Sequence, residues 1–283
     1  MQSILVPKKV SDKMKLNQKL KYFHHIEEQL KPIPINPPKK KSILFYVRCL
    51  FDLQLKTITD FLRPELAKIS NSVLDIGAGN APWRYFLAKE VKYIGLDIEK
   101  ANEFNMAQNN EIIYYSGGIF PFLESKFSHA LCVEVLEHIL DTETFLSEIY
   151  RCLAPNGKLI LTVPWSARRH HLPYDYFRFT PEALEQLFRR QGFVDIEIDV
   201  RGNDFAVLFN KTLCLIQGLL WPKTKTKIAL TLPVALIFLP SLLLLFLAAH
   251  LTMKLNIKSY FDPLGFSLTA KKPAINSNLD CFA

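Results

Sequence analysis

From Ser72 onward, hydrophobic positions come in short runs set between polar turns and helical stretches. Ser72–Ile76 is an apolar run interrupted only by Asp75, and the turn Gly77-Ala78-Gly79-Asn80 follows it. A helix is predicted to open near Pro82. Residues 92–96 read as a second strand ending at Asp97, residues 111–115 as a third and residues 130–133 as a fourth. Asp141 then caps a helix running to about Leu153, and Pro155-Asn156-Gly157 turns the chain into a strand over 158–163. Thr180 as N-cap and Pro181 at the first position start another helix. Gly192 stops it before a sixth strand over 193–200, and a last strand, 265–270, comes only near the end. This rhythm predicts an α/β fold with a largely parallel sheet and helices on both faces.

The flanks read differently. Residues 1–41 carry ten lysines against three acids, with Leu16, Leu20, Phe23 and Leu30 at roughly helical spacing. That pattern fits a basic amphipathic helix on anionic lipid, or equally a solvated leader. Pro32-Ile33-Pro34-Ile35-Asn36-Pro37-Pro38 excludes helix and reads as an extended linker. A second amphipathic helix is expected over about 42–62. Residues 228–253 contain no formally charged side chain, and 205–221 are apolar apart from Lys211.

Composition adds little beyond this. Hydrophobic residues make up 49% of the 283, enough for a sizeable core, and the formal net charge is +8. Such a charge suits nucleic acid, an anionic membrane or an acidic substrate. Cys49, Cys132, Cys152, Cys214 and Cys281 are odd in number and scattered, so they read as reduced thiols in a cytosolic chain. The first thirty residues lack the continuous apolar stretch of a signal peptide. No zinc spacing, nucleophile elbow or phosphate loop is present, so no metal ligand is expected, and nothing marks a nucleic-acid-binding face.

The candidate chemistry begins at the first turn. Glycine at 77 and 79 lets backbone pass close to a ligand with positive φ. Asp97 lies twenty positions after Gly77, at the end of the second strand, where an acid can accept from ribose hydroxyls. The geometry suits an adenosine-containing cofactor. A dinucleotide would want a third glycine where Pro82 stands.

Val73-Leu74-Asp75-Ile76-Gly77-Ala78-Gly79 resembles the first signature of class I S-adenosylmethionine-dependent methyltransferases. Tyr93-Ile94-Gly95-Leu96-Asp97-Ile98 resembles their second strand. Phe120-Pro121-Phe122, Phe127 and Cys132-Val133-Glu134-Val135-Leu136-Glu137-His138 resemble the fourth-strand signature of the group containing small-molecule, lipid and quinone methyltransferases. Leu153-Ala154-Pro155-Asn156-Gly157-Lys158-Leu159 resembles the turn into their fifth strand. The resemblance implies a Rossmann-like, doubly wound, mostly parallel seven-stranded sheet with its last strand antiparallel. S-adenosylmethionine is the implied cofactor. Gly77 and Gly79 would pass beneath its methionine part, Asp75 would help hold its amino group, Asp97 would bind the ribose, and Glu134 would line the pocket near the sulfonium. Two family acids are missing: Ser116, Gly117 and Gly118 offer none to the adenine amine, and Ser128 stands where another often follows Phe127.

The segment His170-His171-Leu172-Pro173-Tyr174-Asp175-Tyr176-Phe177-Arg178-Phe179-Thr180 follows the fifth strand, at the active edge of such a sheet. It also resembles a stretch seen in many bacterial methyltransferases of this group. Methyl transfer needs a base only for a weak nucleophile. His171 or Asp175 is the expected base or acceptor-orienting group. Arg178 would bind an anionic substrate or brace Asp175, and His138 would face the same cleft or serve as a cap.

Domain boundaries follow. A basic arm and linker occupy 1–41, the methyltransferase domain 42–203 and 259–273, a hydrophobic membrane-associated insertion 204–258, and a tail 274–283. Because both flanks of the insertion are strands of one sheet, the chain must leave and return on the same side of a bilayer. The preferred arrangement lays 205–221 in the interface and dips 228–253 into the membrane, turning back near Pro240-Ser241. Two crossings, or a wholly soluble helical cap buried by a partner, are the alternatives. The expected partners are the lipid bilayer, at its cytoplasmic face, and a small or lipid-linked acceptor such as a lipid, isoprenoid or glycan. The competing reading is a non-catalytic membrane scaffold that keeps the fold.

Overall fold

The computed structural model describes residues 32–38, 43–104, 106, 109–221 and 225–274. The basic amphipathic helix expected in the N-terminal arm lies outside these residues. Residues 32–38 have no regular secondary structure, as their prolines require. Arg48 fixes this stretch by donating to the carbonyls of Pro34 and Ile33, both at 2.8 Å.

Seven strands form one sheet: β1 (Ser72–Ile76), β2 (Lys92–Ile98), β3 (Ile112–Tyr115), β4 (Phe127–Val133), β5 (Leu153–Pro164), β6 (Val194–Arg201) and β7 (Gly265–Lys271). Their spatial order is β3-β2-β1-β4-β5-β7-β6. The pairs from β3 through β5 are parallel, and β7 runs antiparallel between β5 and β6. This is the Rossmann-like arrangement that the sequence implies. Successive strand residues alternate between two packed faces. Leu74, Ile76, Ala130, Leu159 and Leu161 join a cluster with α3 (Thr142–Cys152) and α4 (Pro181–Arg190) through Leu146, Ile149, Leu184 and Phe188. Val73, Leu131 and Ile160 face the other way, onto α2 (Leu53–Leu66) through Leu55, Ile58, Leu62 and Leu66.

Two helical expectations are corrected. The single helix over 42–62 is two: α1 (Ile43–Phe51) ends at Asp52, whose Oδ1 accepts from Leu55 N (3.1 Å) and caps α2. The side-chain bond gives Leu55 the partner it lacks at a helix start, which outweighs continuation through Asp52. No α-helix opens at Pro82. Residues Pro82–Phe86 form one 3-10 turn after Ala81, which is left-handed at φ 53°. The buried Trp83 packs there with Val91 in the α2-facing cluster.

The insertion departs most from expectation. α5 (Asp204–Leu220) is followed by α6 (Lys225–Lys254), one continuous helix of 30 residues through Pro233 and Pro240. The return near Pro240-Ser241 does not occur; the chain turns between α5 and α6 instead. The two helices pack side by side: Phe209 lies 5.6 Å from Phe246, Thr231 donates to Leu219 O (2.6 Å), and Asn203 donates to Thr252 Oγ1 (2.9 Å).

Candidate active site

The carboxyl ends of β1, β2, β4 and β5 meet along one edge. The β1 turn is held against β2: Gly77 N and Ala78 N donate to Leu96 O at 2.8 and 3.2 Å. Gly77 has φ 68°, and a Cβ on it would stand 2.4 Å from Val135 Cγ2. Only glycine fits this close passage beneath the β4 turn. Gly79, at φ 54°, donates its N–H to Asp97 Oδ2 (2.8 Å), while Ile98 N donates to Oδ1 (2.7 Å). Burial raises the Asp97 pKa above the ordinary carboxylate range, opposed by these two N–H donors. Each oxygen keeps a lone pair for a further donor such as a ribose hydroxyl.

Asp75 is 1% exposed and accepts from Tyr93 Oη at 2.8 Å. Burial pushes its carboxyl up to about 7, the Tyr93 hydroxyl works against that, and Asp97 adds to it. Asp75, Gly77, Gly79 and Asp97 thus stand together, as one cradle. The β3–β4 loop is fastened elsewhere. Phe120 N donates to Glu148 Oε2 (2.7 Å), and Arg151 donates to Phe122 O (2.8 Å) and Phe120 O (3.1 Å). Ser116 donates to Glu99 Oε1 (3.1 Å). Ser128, at the missing-acid position, binds Ser72 across β1 and β4, donating to its carbonyl at 2.8 Å.

Glu134 has φ 54° and accepts at Oε1 from Arg201 Nη2 (2.7 Å). Arg201 is 3% exposed and also donates to Val163 O, Phe266 O and Thr57 Oγ1. It is a buried cation from β6 that sequence reasoning missed. Its pattern was a strand-ending arginine, with nothing to link it to residue 134.

The 170–180 segment closes over the β4 turn. Tyr176 N and Phe177 N donate to the Glu137 carbonyl at 2.9 and 3.2 Å, and His138 Nδ1 donates to Tyr174 O (2.9 Å). Arg178 grips Asp175 with two bonds, Nη1 to Oδ1 at 2.6 Å and Nη2 to Oδ2 at 2.9 Å. His170 N also donates to Asp175 Oδ2 (3.0 Å). Burial would raise the Asp175 pKa, but Arg178 and His170 hold it below the usual carboxylate range. Arg178 therefore braces Asp175. The His138 ring centre lies 4.7 Å from that of His170 and 5.2 Å from that of His171. Burial and these two neighbours depress His171 to about 4.

His138, His171, Asp175 and Arg178 thus come together, and two further residues join them. Glu137 is fully buried, and its oxygens with His138 and His170 nitrogens lie within 4.8 Å of one another. Glu137-His138 and His170, far apart in sequence, are brought together by the ends of adjacent strands.

Comparison with known proteins agrees with this layout. Residues 48–198 match the methyltransferase-domain family. The demethylmenaquinone methyltransferase of Geobacillus sp. (strain WCH70) is 26% identical over 191 residues, 52% of this chain and 81% of that protein. The tRNA U34 carboxymethyltransferase of Campylobacter curvus is 26% identical over 203 residues, 64% of this chain and 66% of that protein. A putative sarcosine dimethylglycine methyltransferase from Galdieria sulphuraria shares the fold, with TM-score 0.50, 14% identity, and coverage of 86% of this chain and 94% of that one.

Proposed function

The chain belongs to the class I S-adenosylmethionine-dependent methyltransferases, and from that premise we propose that it works at a membrane, methylating a small, lipid-borne acceptor. The cofactor is S-adenosylmethionine, which when bound supplies an electrophilic methyl group on a sulfonium. Gly77 and Gly79 carry the positive-φ turn on which its methionine part would rest, Asp97 would offer acceptors to its ribose, and Asp75 a carboxyl to its ammonium. Methyl transfer is an in-line displacement, so holding the acceptor in line is the main task left to the protein. We assign that to the 170–180 segment, with His171 at the acceptor and Asp175 as a positioning residue fixed by Arg178.

The observation that carries the membrane reading is where the apolar pair joins the sheet. Arg201, bonded to Glu134, ends β6; Gly202 and Asn203 lead directly into α5. After α6 the chain returns through Leu264, whose carbonyl accepts from Trp165 N and Ser166 N at the end of β5. The pair therefore leaves and rejoins at the site's own edge. α6 is apolar all round, and among its described residues from Ile228 to Lys254 only Ala235 and Ala249 are buried against the chain. Such a helix needs a second apolar environment. At about 45 Å long it matches a hydrocarbon core of ~30 Å with length to spare. α1 extends the same surface: Phe51 stacks on Phe246 at 5.6 Å, His250 Nε2 donates to Leu50 O (2.9 Å), and Leu44, Val47 and Leu50 are exposed. We infer that α5 and α6 enter the bilayer as a helical hairpin, with α1 at the cytoplasmic interface. The name of the Geobacillus relative, a demethylmenaquinone methyltransferase, supports an apolar acceptor.

Vesicle flotation tests this reading. Leu243, Leu244 and Leu247 are 60%, 68% and 56% exposed on α6, so their replacement by lysine leaves the packed face intact. The wild type should float with phosphatidylglycerol-containing vesicles, and the triple variant should remain at the bottom with S-adenosylhomocysteine affinity unchanged. Equal flotation of both, or flotation of neither, would remove the hairpin as the anchor.

A further inference from the structure

The side chains of Glu137, His138 and His170 converge where β4 and β5 end. Glu137 is 0% exposed, and neither of its carboxylate oxygens has a hydrogen-bond partner. His138 Nε2 lies 3.6 Å and His170 Nε2 3.7 Å from Glu137 Oε1, beyond hydrogen-bond distance. The opposite ring atoms are committed elsewhere. His138 Nδ1 meets Tyr174 O at 2.9 Å and His170 Nδ1 meets Arg168 O at 3.1 Å. A carbonyl only accepts, so each Nδ1 carries a proton, and a neutral ring then turns the Nε2 lone pair inward. In that state two lone pairs face a buried carboxylate whose cations, Arg178 and Arg201, reach it only at a distance, and they repel it. A cation held between them reverses every one of these interactions.

We propose that Glu137, His138 and His170 bind one divalent transition-metal ion. Two imidazoles and a carboxylate suit zinc or its first-row neighbours, rather than the all-oxygen shells of magnesium and calcium. Bonds of roughly 2.0–2.1 Å in a tetrahedral shell set ligand atoms about 3.3 Å apart. The two Glu137–histidine separations, 3.6 and 3.7 Å, need only a small contraction to reach this. Both Nδ1–H groups on main-chain carbonyls form the outer support that fixes tautomer and ring orientation in metal-bound histidines. Asp175, clamped by Arg178, holds the His170 backbone N–H and so fixes the third ligand. Three protein ligands leave a position for water or an acceptor oxygen. The site stands independently of which acceptor is methylated.

Tag-free, detergent-purified protein is stripped with a chelator and titrated with Co2+ under visible absorption, with Zn2+ as competitor. S-adenosylhomocysteine binding is measured on the same samples. The expected result is one Co2+ per chain, displaced by Zn2+. His138→Asn and His170→Asn should weaken Co2+ binding about tenfold or more and leave S-adenosylhomocysteine affinity within about twofold. Asparagine retains a side-chain donor for the Tyr174 or Arg168 carbonyl, so that loss would not reflect a released segment. A wild-type chain that binds S-adenosylhomocysteine but takes up no stoichiometric Co2+ or Zn2+ overturns the proposal. So does Co2+ affinity unchanged in both variants. Failure of wild type to bind S-adenosylhomocysteine would count against the assigned cofactor residues instead, while metal stoichiometry still decides this site.

Discussion

Asp97 takes hydrogen bonds from Gly79 N and Ile98 N, so its carboxylate both shapes the β1 turn and faces the ribose position. Asp97→Ala should weaken S-adenosylhomocysteine binding about 10- to 100-fold by calorimetry, the range for a charged hydrogen-bond acceptor. Asp75 gives a pH signature. Its carboxyl is raised to about 7 in the folded chain, against about 3.9 in an unfolded one. The folded state therefore keeps a proton that the unfolded state releases, and this contribution to stability, full below about pH 4, is lost as pH rises through 7. An ammonium beside Asp75 favours the ionised form. Cofactor affinity should then rise about tenfold between pH 5.5 and 7.0, and Asp75→Asn should flatten the profile. Asp75, Gly77, Gly79 and Asp97 were legible because each sits in one short motif tied to a strand end. Arg201 and Glu137 were not. A strand-ending arginine and a carboxylate one residue from a histidine carry no local pattern, and their roles exist only once distant strand ends meet.

Elements were legible where periodicity and punctuation agreed. The Thr180-Pro181 start and Asp141 cap fall where expected, since both depend on bonds within three residues: Ala183 N to Thr180 Oγ1 and Thr144 N to Asp141 Oδ1. Reading proline as a breaker failed in α6. Pro233 and Pro240 each remove one backbone donor, yet the helix continues, packed along α5 by Phe246, Leu242 and Leu245. Tertiary packing against α5 decided there, overriding the local cost of proline. One side chain joins both ends of the pair: Asn203 accepts from Ala206 N as the cap of α5 and donates to Thr252 Oγ1 and Ile257 O. Asn203→Ala should lower unfolding free energy by about 2–4 kcal/mol, the sum of a lost cap and buried hydrogen bonds, in denaturant titrations of detergent-held protein. No change there would show that the hairpin is not seated through this residue.

At the scale of the molecule, a methyltransferase sheet carries a hydrophobic hairpin on the edge where its site opens. The β5–β7 and β6–β7 pairings demand that the chain return to the sheet it left, and the return lies beside Trp165, Ser166 and Glu134. A lipid-borne acceptor could then meet the cofactor without leaving the bilayer surface. The most direct measurement follows the methyl group itself. Detergent-purified protein is incubated with methyl-tritiated S-adenosylmethionine and membranes from the source cells, and label is counted after partition between organic and aqueous phases. The account predicts label in the organic phase, lost with Asp97→Ala and sharply reduced by the triple lysine change on α6. Label confined to water-soluble compounds, and unaffected by the α6 change, would contradict it.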